Sequence, residues 1–222
     1  MARAISLIDE IRRDLEILER KILEHAYVKA LEEARISRDK LCLFVGEQYT
    51  IIGSDLRSVA HLVTRFGAYP SRDFFLTVLQ GEKAAWDSLL VLARAIGMSE
   101  ESLRLYEPLP GAQAYTCYMA WLALYASDAE IAAAYLVNFP AWGRNCGRLS
   151  RVLKERYGFT PNEVGFFDLF ATPPPTFEAS ALAVIQGGLD RGADPRLVSR
   201  AARLLQAYEL MFWDTLYEAS TR

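Results

Sequence analysis

The chain has 222 residues, 52% of them hydrophobic and 24% charged, with a net charge of −3. That length and apolar content predict one domain (1–222) with a full core, and exclude a disordered chain. Acidic and basic residues interleave throughout, so no electrostatic footprint for nucleic acid is present. No apolar run reaches the ~18 residues that a membrane span needs. The longest candidate, 112–126, is interrupted by Gln113 and Thr116. The first ten residues mix Arg3 with Asp9 and Glu10, unlike a secretory leader. Cys42, Cys117 and Cys146 are too widely spaced for a disulfide framework or a zinc site, so a reducing, cytoplasmic setting without metal or other cofactor is expected.

Nearly every segment shows a 3.6-residue hydrophobic period, and none shows strand alternation. A first helix is predicted over 6–34, with Leu7, Ile11, Leu15, Leu18, Ile22 and His25 on one stripe. Ser37 is predicted to cap a second helix reaching Phe66. Pro70 and Ser71 open a third, to Ala95, and Gly97 ends it. Ser99 caps a short helical turn, and the Pro108–Gly111 segment breaks the chain. A helix over 112–126 follows. Ser127 and Glu130 then form a capping box for a helix to Tyr157, which Pro140 should kink. Thr160 and Glu163 form a second capping box, with Pro161 at the first helical position. Pro173–Pro175 ends that helix. Two more are predicted, over 177–190 and, capped by Asp194-Pro195, to about Ala219. Seven or eight helices with short connections make an all-α, single-domain bundle.

Five places put polar groups into apolar helical faces. Glu47 follows Gly46, a residue that costs ~1 kcal/mol mid-helix and so suggests close approach of a ligand or a neighbouring helix. Tyr115 follows the Pro/Gly break, Asn138 and Trp142 flank Pro140, and Asp168 sits among Phe166, Phe167 and Phe170. In the last helix Leu205, Tyr208, Phe212 and Leu216 form one stripe, and Glu209 borders it one turn before Trp213. A carboxylate beside an aromatic face is costly to desolvate unless it has a partner or a proton to handle. Glu209 is therefore the first candidate for chemistry, against the alternative that it faces solvent and a cation such as Arg203 neutralises it. Glu47 has a parallel alternative, pairing with a basic group on a facing helix. His25 reads as a packed, hydrogen-bonded histidine, and His61 as a surface or interface residue.

The order of these stretches resembles the TenA/thiaminase-II family, whose members have the haem-oxygenase-like fold. The resemblance runs through His25-Ala-Tyr27-Val28, Phe44-Val-Gly46-Glu47-Gln-Tyr49, Ala114-Tyr115-Thr116 and Tyr208-Glu209-Leu-Met-Phe212-Trp213, and covers nearly the whole chain. It implies a thiamin-salvage hydrolase that acts on an aminomethylpyrimidine, or on thiamin with residual thiaminase activity, to give hydroxymethylpyrimidine. By the same resemblance Glu209 and Glu47 are catalytic: Glu209 as proton donor, Glu47 in the place of the carboxylate that grips the ring's amidine edge. Glu47, Tyr49, Tyr115, Asn138, Trp142, Phe170 and Phe212 would surround the substrate. The family's segment with its nucleophilic cysteine aligns onto 136–142, so Asn138 falls where the thiol should be, and an amide cannot form the covalent adduct. Cys146 lies eight residues on, about 12 Å along a helix axis, and cannot substitute directly. Trp142 and Phe170 fall where the family has tyrosines. The implied partners are a small aminopyrimidine and further copies of the chain, as a dimer or tetramer, with no nucleic acid and no membrane. Two other readings stay open: a non-catalytic pyrimidine-binding or regulatory protein, and a di-iron oxidase of the same fold. Such an oxidase needs several histidines among its carboxylates, and this chain has two.

Overall fold

The computed structural model describes all 222 residues, Met1–Arg222, and is all helical. Eleven α-helices run in order: α1 Ala2–Asp14, α2 Glu16–Leu23, α3 Ala26–Glu32, α4 Leu41–Arg65, α5 Ser71–Ala95, α6 Glu100–Arg104, α7 Pro110–Tyr125, α8 Asp128–Tyr157, α9 Gly165–Ala171, α10 Phe177–Asp190 and α11 Pro195–Thr221. No helix is long and apolar enough to cross a membrane.

The count exceeds the predicted seven or eight mainly because the first predicted helix is three. His25 breaks it: its backbone is extended (φ −61°, ψ 140°), and its Nδ1 accepts the Tyr27 N–H at 3.1 Å, so it caps α3. Its Nε2 lies 2.9 Å from Asp214 Oδ1 on α11, which makes it the packed, hydrogen-bonded histidine expected. Leu15 makes the other break (φ −97°, ψ 3°). Periodicity could not show either break, because the stripe keeps its phase through both. Ser37 likewise precedes only a 3₁₀ turn, Arg38–Lys40, and its side chain makes no capping bond. Thr160 and Glu163 do bond to one another, but around a turn, and α9 begins only at Gly165. The other caps hold. Ser127 and Glu130 form a complete capping box, and Ser99 and Asp194 cap α6 and α11; Pro140 lies within α8 and does not end it.

The long helices α4, α5, α8 and α11 pack side by side with α7, while α9 and α10 close against α8. Two apolar clusters fill the bundle. One gathers Ile8, Leu62, Phe74, Phe75, Leu122, Ile131 and Leu205; the other gathers Tyr27, Phe44, Leu89, Phe166, Phe167 and Trp213. Between them the same helices turn polar at mid-length. Gln48 and Asp55 on α4, Glu82 on α5, Thr116 on α7, Asn138 on α8, and Gln206 and Glu209 on α11 are all buried. Burying so many polar groups costs several kcal/mol unless each is satisfied, so this layer is where a fold kept only for stability would be apolar.

Two glycines let neighbouring segments approach the helices that carry them. A Cβ at Gly46 would meet the Tyr106 ring at 2.4 Å, which answers the mid-helix glycine with a neighbouring side chain rather than a ligand. A Cβ at Gly143 would meet the backbone oxygen of Phe170 at 2.6 Å, so the bare α8 surface there seats the end of α9.

Candidate functional site

The polar layer opens into a narrow cavity of about 40 Å³. Ile51, Ile52, Phe139, Trp142, Phe170 and Phe212 form its apolar walls; Gln48, Asp55, Glu82, Tyr115, Tyr135 and Glu209 supply its polar groups. Trp142 is the centre of the aromatic wall. Its ring meets Phe170 edge-on at 5.8 Å and Phe212 at 5.9 Å, arrangements that suit the aromatic quadrupole and fix the rings. Phe139, Phe170 and Glu82 also line an outer cleft of about 170 Å³ beside Pro173 and Pro174, so these three side chains stand between cavity and cleft.

Glu209 is 1% exposed, and no cation neutralises it. Asn138 Nδ2 donates to its Oε2 at 2.6 Å, and Trp213 Nε1, one turn on, donates to its Oε1 at 3.0 Å. Both bonds favour the carboxylate, yet burial outweighs them and pushes its pKa up to about 8. Each oxygen thus has one donor already in place, and neither donor can accept. A proton on Glu209 must therefore be offered elsewhere, and the cavity is the side left open. Asn138 is itself oriented. Tyr115 Oη donates to its Oδ1 at 3.0 Å, while Nδ2 reaches Gln206 Oε1 at 3.2 Å as well as Glu209. Burial raises the Tyr115 pKa well above its ordinary value, which keeps the hydroxyl protonated as that donor.

Of the residues expected at the site, Glu209, Tyr115, Trp142, Phe170 and Phe212 line this cavity together. Asn138 stands behind the wall and positions Glu209 rather than facing the space. Glu47 and Tyr49 do not line it. Glu47 is fully buried, and its Oε1 accepts from Tyr106 Oη at 2.7 Å and from the Leu109 N–H at 2.8 Å, tying the loop before α7 to α4. Tyr49 packs against Trp86, with ring centroids 4.6 Å apart and planes tilted by 33°. The correction is one of helical phase: consecutive residues point about 100° apart, and Gln48, not Glu47, carries the side chain that faces the cavity.

Asp55, Glu82, Gln48 and Tyr135 were not singled out from the sequence. A signal for two of them was present. Asp55 continues the apolar stripe of Ile51, Ile52, Val59 and Leu62, and Glu82 that of Phe75, Val78, Ala85 and Leu89. These are the same carboxylate-on-an-apolar-stripe pattern that picked out Glu209. Thr116 Oγ1 donates to Asp55 Oδ1 at 2.6 Å. Burial raises the pKa of both carboxyls, and Asp55 raises that of Glu82 further. No cysteine lines the cavity: Cys146 is buried, with burial raising its thiol pKa, Cys117 is exposed and Cys42 half-buried. No three His, Cys, Asp or Glu side chains converge to hold a metal ion.

The fold is shared with solved proteins of low sequence identity. A TenA homologue from P. horikoshii OT3 superposes with a TM-score of 0.75 at 17% identity, covering 96% of this chain and 99% of its own. A TenA homologue from Pseudomonas syringae pv. tomato gives 0.78 at 15%, over 95% and 92%. A putative TenA-like thiaminase from Sulfolobus solfataricus gives 0.70 at 12%, over 96% of each chain. Among similar structures one, from Shewanella denitrificans, is described as having a haem-oxygenase-like fold. No curated protein matches the sequence. The profile of the TENA/THI-4/PQQC family matches residues 12–163, which spans α2 through α8 with the end of α1 and takes in Glu82, Tyr115, Asn138 and Trp142; the chain belongs to that family.

Proposed function

We propose that the Glu209 cavity binds an aminopyrimidine of thiamin salvage and that the chain hydrolyses its aminomethyl side chain to hydroxymethylpyrimidine. The observation that carries this reading is the Glu209 carboxyl, buried on an aromatic wall, with its pKa pushed up to about 8 and its open side toward the cavity. A group of that kind is protonated at neutral pH and can give its proton to a leaving amine. The ring's own 4-amino group supplies the electron pair that breaks the C–N bond, and ammonia leaves with the Glu209 proton. The carboxylate then takes a proton from water as its oxygen adds to the exposed methylene, which restores the acid. No thiol is required, in keeping with a cavity that no cysteine lines. Gln48 presents both an amide donor and a carbonyl acceptor, the pair that complements an aminopyrimidine edge. Trp142, Phe170 and Phe212 give flat surfaces for the ring.

The test is turnover of 4-amino-5-aminomethyl-2-methylpyrimidine, followed as hydroxymethylpyrimidine by chromatography, beside its binding by thermal shift. Glu209→Gln should bind the pyrimidine nearly as well as the wild type while kcat falls on the order of 10²–10⁴. Equal loss of binding and turnover would make Glu209 a positioning group. Tight binding by the wild type with no turnover would favour the second reading, a pyrimidine-binding protein, for which the missing thiol is the supporting observation.

The same proposal includes self-association. On α7, Trp121 (41% exposed), Leu124 (54%) and Tyr125 (69%) form an apolar face, with the Trp121 ring stacked on Tyr118. Such a contiguous patch suits a second copy of the chain. Light scattering on the wild type and on Trp121→Lys should show an oligomer and its loss.

A further inference from the structure

Three carboxyls, Asp55, Glu82 and Glu209, line one small cavity, and no Lys, Arg or His lines it with them. The hydrolysis proposed above uses Glu209 and leaves the other two unexplained. Asp55 on α4 is 4% exposed and has one partner, the Thr116 hydroxyl. Glu82 on α5 is 8% exposed and makes neither a hydrogen bond nor an ion pair with any residue, although it stands where the cavity meets the outer cleft. An independent sign lies across from them on α8. Tyr135 is 1% exposed and lines the cavity, and its hydroxyl has no hydrogen-bond partner at all. Both carboxyls lie close enough to Tyr135 to act on its hydroxyl electrostatically. A buried phenol left without a partner is uncommon, and the carboxyl of Glu82, at the mouth of the same cavity, has no protein partner either.

We propose that Asp55, Glu82 and Tyr135 form a cation subsite at the inner end of the outer cleft, which receives an ammonium group of the ligand, apart from the centre on which Glu209 acts. An ammonium carries three N–H donors, and the subsite offers three oxygens: one from each carboxyl and the Tyr135 hydroxyl. Burial and mutual repulsion disfavour ionising both carboxyls, so in the free protein at neutral pH the pair retains a proton. An arriving ammonium replaces that proton, and one proton leaves to solvent for each cation bound. The remaining groups facing the pair give it no counter-charge: Thr116 and Tyr115 on α7 are neutral, and Glu209 on α11 is acidic. Neutral and anionic ligands of the same shape gain nothing there. The inference rests on the cavity being the ligand site, and it makes the ligand a ring with an amine-bearing arm. That arm binds as the ammonium and returns a proton to the carboxyl pair before Glu209 acts on the neutral amine.

Two pairs of probes, equal in shape within each pair, test it by thermal shift and titration calorimetry at pH 7. They are aminomethyl- against hydroxymethyl-pyrimidine, and benzylamine against benzyl alcohol. The amine of a pair should bind at least tenfold tighter than the alcohol. Glu82→Gln should reduce that preference to threefold or less without changing alcohol affinity, whereas Glu209→Gln should keep it. Glu82 has no partner to lose, so the variant should fold. In any case, calorimetry of benzylamine binding in buffers of different ionisation enthalpy reads proton release in the wild type alone, and about one proton per ligand is expected. Equal affinity for amine and alcohol, a preference that survives Glu82→Gln, or binding without proton release would each overturn the subsite. Discrimination within the benzyl pair but no binding of either pyrimidine would keep the subsite and refute the pyrimidine reading.

Discussion

Replacing Glu209 by glutamine should flatten the dependence of stability on pH, whatever the protein's substrate. In the folded chain the carboxyl is 1% exposed with a pKa of about 8; in the unfolded chain it titrates near its ordinary value of about 4.5. Because the folded value is the higher one, the folded state holds the extra proton between those limits. The stabilisation is complete below about pH 4.5 and is lost as pH rises through 8. One extra proton makes stability fall by ~1.4 kcal/mol per pH unit in that window, on the order of 5 kcal/mol across it. For a chain of this size ~1 kcal/mol moves Tm by roughly 2–4 °C, so Glu209 alone should lower Tm by about 3–6 °C per unit between pH 5.5 and 7.5. Asp55 and Glu82 act in the same direction, so the wild-type slope should be steeper still. Glutamine keeps the volume but sets one amide N–H against Asn138 or Trp213, which adds an offset of ~1 kcal/mol that does not vary with pH. Circular-dichroism melts of both proteins from pH 5 to 8.5 therefore separate the effects: the offset moves the line, and the lost proton changes its slope. Parallel lines would refute a protonated Glu209 and, with it, the acid of the proposed reaction.

Glu47→Ala removes the acceptor of the Tyr106 hydroxyl and the Leu109 N–H and should cost about 2–4 kcal/mol, read by urea unfolding. Pyrimidine affinity should stay within threefold of wild type, and a large loss of affinity without loss of stability would return Glu47 to the binding role that the resemblance gave it. Replacing all three cysteines by alanine or serine should leave turnover within a few-fold, because none lines the cavity; loss on Cys146→Ala alone, with the fold intact, would refute this. Gly143→Ala drives a methyl against the backbone oxygen of Phe170 and should cost about 1–3 kcal/mol while weakening any cavity ligand, since Phe170 is part of the wall. Unchanged stability would mean that α9 gives way freely.

What the sequence made legible was set by range. Caps and breakers act within a turn, so Ser99, Ser127 with Glu130, the Pro173–Pro175 stop and Asp194 could be read directly, and the structure keeps them. The division of the first helix could not be read, because His25 leaves helical geometry while holding Asp214, a residue 189 positions away. The same limit explains Glu47 and Gln48. A motif gives position along a helix to within a residue or so, but one residue is 100° of rotation, enough to exchange a cavity wall for a loop tie.

Burial of charge proves the more general signal. Glu209 stands out because it borders an aromatic stripe, and Asp55 and Glu82 lie on apolar stripes of their own, outside the four motifs that carry the resemblance. A carboxyl on an apolar stripe has only a few stable outcomes: a cation, a set of donors, a retained proton, or a ligand. Glu47 and Glu209 both have two donors, yet only Glu209 faces open space. Asp55 has a single hydroxyl, and Glu82 has nothing from the protein. Ranked by the number of donors the protein supplies, the four carboxyls run from structural tie to ligand contact, and the two that the motifs omit stand nearest the ligand end.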